Sequence, residues 1–127
     1  MAKIIILDDN VDLLEMQAEL LRAAGHEVTI SSEGAAALAE IKTGGFALLV
    51  TDIIMPDMDG IEVIMNLRKL QPPIKIIAIS GGGRVNPRDY LQLAVRLGVH
   101  GTLQKPFSGT ELCLAVDRAL HQATPPA

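Results

Sequence analysis

Lys3-Ile4-Ile5-Ile6-Leu7-Asp8-Asp9-Asn10 opens with four consecutive apolar residues and turns at once to two carboxylates. A short uninterrupted apolar run rich in β-branched side chains marks a strand covered on both faces, since a strand with one wet face alternates. The pattern returns in Val28-Thr29-Ile30, Ala47-Leu48-Leu49-Val50, Ile74-Lys75-Ile76-Ile77-Ala78-Ile79 and, more weakly, from Val99 to Leu103. Helical spacings lie between the runs. Asn10 to Ala24 carries Val11, Leu14, Ala18 and Leu21 three and four residues apart, and Gly25 ends it. Ser32-Glu33 opens a second helix that reaches Lys42 and stops at Gly44-Gly45, and a third runs from Gly60 to Leu70 ahead of Pro72-Pro73. A fourth starts near Pro87 and ends at Gly98, and a fifth runs from Ser108 to His121. Strands alternating with helices in this way specify an α/β fold. It is a doubly wound, five-stranded parallel sheet with five helices, because each right-handed crossover lays its helix on a sheet face. Residues 1–123 form one domain, and 124–127 (Thr-Pro-Pro-Ala) read as a disordered tail.

Composition agrees and narrows the function. A chain of 127 residues is one domain and long enough to bury a core without disulfides or a structural metal. Net charge is -4, with 11 Lys+Arg, two Phe, one Tyr and no Trp. Such a chain lacks the basic, aromatic face that nucleic acid demands, so no direct contact with DNA or RNA is expected. Cys113 is the lone cysteine, which excludes a disulfide framework and a cysteine zinc site. His26, His100 and His121 are scattered without metal-ligand spacing, and each reads as a surface or half-buried residue. No apolar stretch approaches the roughly 18 residues of a membrane span or suits a signal peptide, so a soluble, cytoplasmic protein is expected.

In a doubly wound sheet, ligands bind beyond the carboxyl ends of the strands. Asp8 and Asp9 follow the first strand, Asp52 the third, Ser80 ends the fourth, and Lys105-Pro106 lies past the fifth. Three carboxylates gathered there repel one another unless a cation joins them. With no His or Cys among them, the donor set suits a hard divalent ion such as Mg²⁺. Lys105 and Ser80 suit phosphate oxygens, and a carboxylate can itself accept a phosphoryl group. The group reads as a site for Mg²⁺-assisted phosphoryl transfer to an aspartate. Taken singly, its members have plainer readings: Asp8-Asp9 as a cap for the first helix, Ser80 as a turn residue, Lys105 as a solvated lysine.

Leu7-Asp8-Asp9, Asp52-Ile53-Ile54-Met55-Pro56-Asp57-Met58-Asp59-Gly60, Ser80 and Lys105-Pro106-Phe107 together resemble the receiver domain of two-component response regulators, in family order and near family spacing, from Lys3 to about Gln122. The resemblance implies a flavodoxin-like sheet of order 2-1-3-4-5 and a cis peptide before Pro106. It implies Asp52 as phosphoacceptor and Mg²⁺ held by Asp9 directly, by Asp8 through water, by Asp52 and by the backbone carbonyl of Ile54. Lys105 and Ser80 would contact the phosphoryl group. The implied donor is a sensor histidine kinase or a histidine phosphotransfer protein, and the implied output is contact with a downstream protein. No turnover enzyme is implied beyond the domain's own phosphoryl transfer and dephosphorylation.

The chain departs from that pattern in three places. Thr102 stands where the family often has an aromatic switch residue, Gly81 follows Ser80 where Ala is common, and the span from Ser80 to Lys105 is slightly long. Gly81-Gly82-Gly83 reads as a mobile loop, and its spacing fails the dinucleotide fingerprint at Asn86. Asp57, Asp59 and Gly60 fit turn and helix-cap residues, because the first position of a calcium loop would fall on Met55. On the helix from Pro87, the apolar arc is wider than a sheet contact needs. With Leu91, Ala94 and Val95 against the sheet, Tyr90, Leu93 and Leu97 lie at its margin as a candidate face for a partner or a second copy. Rival readings are a receiver cut from a larger hybrid kinase or regulator, one that no longer accepts phosphate, a Mg²⁺-dependent aspartyl-phosphate phosphatase and a flavodoxin-like redox carrier. The phosphatase needs an Asp-x-Asp motif that Asp8-Asp9-Asn10 does not supply, and the redox carrier needs aromatics, which are 2% of the chain.

Overall fold

The apolar runs become strands because each sends alternate side chains into opposite sides of one sheet. A computed structural model of the chain describes residues 2–53, 60–69, 74–80, 92, 95–96 and 98–122. Its strands are β1 (Lys3–Leu7), β2 (Glu27–Ser31), β3 (Leu48–Asp52), β4 (Lys75–Ser80) and β5 (Gly101–Gln104), all parallel, in the order β2-β1-β3-β4-β5. The described helices are α1 (Val11–Ala23), α2 (Gly34–Gly44), α3 (Gly60–Leu67) and α4 (Gly109–His121).

The alternation is visible residue by residue. Ile4, Ile6, Leu48, Val50, Ile77 and Ile79 pack with α1 and α4 on one face. Ile5, Leu7, Leu49, Ile76 and Ala78 pack with α2 and α3 on the other. With both faces covered, the middles of β1, β3 and β4 are largely apolar, and the acidic residues stand at the carboxyl ends of β1 and β3.

Helix termini follow local chemistry. Asn10 caps α1, its side chain accepting the Leu13 N–H at 3.1 Å, so the cap falls to Asn10 rather than to Asp8 or Asp9. Ser108 and Glu111 form a reciprocal capping box that fixes the start of α4 just past Lys105. Gly45, at φ 67°, closes α2 in the left-handed conformation.

The described helices number four, where the spacing predicts five. The helix expected over Pro87–Gly98 falls mostly outside the described residues, and of its expected span Gln92, Val95 and Arg96 are described in helical conformation. Val95 is 61% exposed, so it does not face the sheet as the wide apolar arc suggests. Tyr90, Leu93 and Leu97, the glycines 81–83, Ile54, Asp57, Asp59 and the tail 124–127 lie outside the described residues. No helix among the described residues is long and apolar enough to cross a membrane.

His100 is a second departure, for it is buried rather than at the surface. Its backbone N–H donates to the Ile76 carbonyl at 2.7 Å while its Nδ1 accepts the Ile76 N–H at 3.2 Å. The ring thus takes over the backbone pairing of β4 just ahead of β5, which requires a neutral imidazole. Burial, with Lys75 and Arg68 nearby, holds its pKa below the ordinary 6.5. The unfolded chain therefore takes up this proton before the folded one does, and stability falls as pH drops through about 6.5. His100→Gln should flatten the loss of thermal midpoint between about pH 7 and pH 5 relative to wild type, a comparison scanning calorimetry would make directly.

Candidate functional site

Register decides which polar groups meet. Leu7 pairs with Thr51 across β1 and β3, so the residues one step on, Asp8 and Asp52, lie level with each other. Both continue the parity of Ile6 and Val50 and point to the α1 and α4 side of the sheet. Lys105 keeps the same parity beyond Leu103, and its long stem reaches back across the rim. Its Nζ stands 2.8 Å from Asp52 Oδ2 and 3.1 Å from Asp8 Oδ2. Asp8 uses its other oxygen to accept the Asn10 N–H at 3.0 Å, which ties the site to the first turn of α1.

Burial makes this group costly and therefore informative. Asp8 is 1% exposed and Asp52 6%, whereas Asp9 is open to solvent. Burial, helped by the charge of Asp52, pushes the Asp8 carboxyl above its ordinary range, against the pull of the Asn10 N–H and of Lys105. Burial alone would pull Lys105 down, but the hydrogen bonds and charges of Asp52 and Asp8 outweigh it and hold the ammonium above its ordinary value. Among the described residues one cation is thus shared by two buried carboxylates, and carboxylates outnumber cations at the rim.

Oxygens of Asp8, Asp9 and Asp52 all lie within 4.8 Å of one another. Three carboxylates at that separation, one of them solvent-accessible, with no nitrogen or sulfur donor in the group, fit a hard divalent cation such as Mg²⁺. Ser80, at the end of β4, is fully buried, and its hydroxyl has no hydrogen-bond partner among the described residues. A buried hydroxyl without a partner is unfavourable in the resting fold and so available to an incoming acceptor. The Lys105 N–H donates to the Ser80 carbonyl at 2.7 Å, and the Lys105-Pro106 peptide is cis. Thr102, on β5, is exposed.

Three features of the site escape a reading of the sequence. β3 runs through Thr51 and Asp52 rather than ending at Val50, so the acidic residue is held by strand pairing and not by a loop. Gly60, read as the start of the third helix, also abuts the backbone of Asp52 and Ile53, and a methyl group there would overlap the Asp52 carbonyl oxygen. Leu13, Met16, Pro106 and Phe107 line a cavity of about 450 Å³ that opens beside Lys105. The one available signal was the apolar Leu13 and Met16 flanking Leu14 on α1 without facing the sheet.

The chain belongs to the response regulator receiver domain family, whose model matches residues 4–117. It is 32% identical to the response regulator receiver protein CpdR of Brucella abortus (strain 2308) over 97% of this chain and 100% of that protein. It is also 32% identical to the DNA-binding transcriptional regulator NtrC of Azospirillum brasilense, over 99% of this chain but 26% of that protein. The chain thus spans about a quarter of one relative and the whole of another. A CheY-like response regulator receiver domain protein from Methanospirillum hungatei JF-1 superposes with a TM-score of 0.85 at 28% identity, covering 94% of each chain. The chain is therefore a receiver domain of the two-component type, with the flavodoxin-like strand order that the resemblance implies.

The unbalanced charge has a consequence for stability. The folded state holds the Asp8 proton more tightly than the unfolded chain, so stability declines as pH rises from 3.8 through the raised value. Asp8→Asn should then melt higher than wild type in chelator at neutral pH, by about 4 °C. The gap should close towards pH 4, and added Mg²⁺ should stabilise wild type more than the variant.

Proposed function

We propose that this receiver accepts a phosphoryl group on Asp52 from a histidine of a sensor kinase or phosphotransfer protein, with Mg²⁺, and signals through contact with another protein. The observation that supports the reading is the Lys105 ammonium bridging the buried Asp52 and Asp8 carboxylates. An Asp52 oxygen attacks phosphorus as the bond from phosphorus to the donor nitrogen breaks, leaving an acyl phosphate on Asp52 and a neutral imidazole on the donor once it takes up a proton. Asp9 and Asp8, with Asp52 and the Ile54 carbonyl, would hold the Mg²⁺. When bound, the ion offsets the charge of the phosphoryl oxygens during transfer. Lys105 follows the new charge on Asp52, and the Ser80 hydroxyl gains the acceptor it lacks.

The rim supplies access as well as chemistry. Asp9 is solvent-exposed, and the apolar cavity between α1 and Phe107 gives a donor helix a surface that ends at Lys105. The added charge, about -1.5 to -2, favours conformers in which Ser80 and Lys105 close on it, and that shift in population is the signal. Thr102 provides no ring to move inward, so the response depends on Ser80 and the segment that follows it.

Intact-mass measurement after incubation with acetyl phosphate tests the chemistry. Wild type should gain one phosphoryl group in a Mg²⁺-dependent manner, and Asp52→Asn should gain none. Equal labelling of the variant would move the acceptor elsewhere, and an unlabelled wild type would remove the reading.

A further inference from the structure

Thr51 is a hydroxyl inside an apolar strand. It is fully buried, in the sequence Leu48-Leu49-Val50-Thr51-Asp52, and valine would fill the same shape without a polar atom. A buried hydroxyl is retained at no penalty only when it is hydrogen-bonded. Here Thr51 Oγ1 donates to the backbone carbonyl of Asp52 at 2.9 Å.

That carbonyl belongs to the residue whose side chain meets Lys105, and the backbone on its far side is also fixed. The Ile53 N–H donates to the Ile79 carbonyl at 3.0 Å, which carries β3 pairing one step past Asp52, and the Gly60 N–H donates to the Ile53 carbonyl at 3.1 Å. Gly60 abuts the same Asp52 carbonyl and leaves no room for a side chain. The peptide that follows Asp52 is thus held from before by Thr51 and from after by β4 and α3.

We propose that Thr51 is a positioning residue for phosphoryl acceptance: its hydroxyl fixes the Asp52 carbonyl and so aims the Asp52 carboxylate at Lys105 and at an incoming phosphorus. It touches neither metal nor phosphoryl group and acts only through the backbone torsion of Asp52. The proposal rests on Asp52 being the acceptor. Reaction of a carboxylate within a fixed site depends steeply on orientation, so a small loss of aim appears in the rate of the chemical step rather than in binding.

Two pairs of variants isolate the hydroxyl: wild type against Thr51→Val, and Thr51→Ser against Thr51→Ala. Intact mass follows acetyl phosphate labelling over time at several donor concentrations, and thermal melts are recorded alongside. Within each pair, loss of the hydroxyl should lower the maximal labelling rate about tenfold with the half-saturating donor concentration unchanged. Thr51→Val should melt no lower than wild type, and Thr51→Ser should label faster than Thr51→Ala. Equal maximal rates within both pairs would overturn the role of Thr51 while leaving Asp52 as acceptor. Should Thr51→Val fail to fold, the Ser and Ala pair decides alone. Absence of labelling in wild type would overturn the acceptor reading and this inference with it.

Discussion

One ammonium held between two buried carboxylates is the constraint on which the rest of this structure depends. Among the described residues Lys105 is shared by Asp52 and Asp8, and Asp9 adds a further carboxylate at the open side. A core arranged for stability alone would replace such a group with apolar side chains. The fold instead directs three strand ends at one point, caps α1 with Asn10 so that the Asp8 oxygens stay free of that task, and begins α4 with a capping box just after Lys105. Among the described residues the result is a rim where three carboxylates meet one lysine, a donor set that suits a hard divalent cation.

Much of this was legible in the chain. Ile4 to Leu7 and Ile74 to Ile79 are continuous because both faces of the sheet are covered, and that continuity carries the parallel architecture. Asp8, Asp52 and Lys105 stand at strand ends on one face, and placement there is enough to collect them, whereas Ser80 at the end of β4 continues the parity of Ala78 on the other. What could not be read depends on side-chain partners rather than on pattern. Nothing in the spacing says that Asn10 and not Asp9 caps α1. Nothing distinguishes a glycine needed for a turn from Gly60, which is needed for contact with a neighbouring strand. His100 escaped because its burial comes from a bond to the Ile76 backbone, a long-range pairing with no local sequence sign.

The helix expected from Pro87 shows the same limit on a surface. A wide apolar arc allows several rotations against a sheet, and periodicity alone does not choose among them. The exposure of Val95 excludes the rotation that the arc's centre favours. Thr102, exposed on β5 without an aromatic ring, belongs to the same region. Thr102 and Gly81 depart from the common family pattern, while Asp8, Asp9, Asp52 and Lys105 keep to it.

The sheet also acts as a partition. Side chains of β1, β3 and β4 enter two apolar layers that share no member: Ile4 and Ile6 on the α1 and α4 side, Ile5 and Leu7 on the α2 and α3 side. Among the described residues the helices of one layer contribute no buried member to the other, so the two layers can drift in sequence on separate schedules. Asp8, Asp52 and Lys105 belong by parity to the first layer, and Thr51 to the second. The backbones of β1, β3 and β4 are common to both, and β3 carries Thr51 and Asp52 side by side, which makes that strand a seam through which an altered α2 or α3 layer would be felt by the acidic rim.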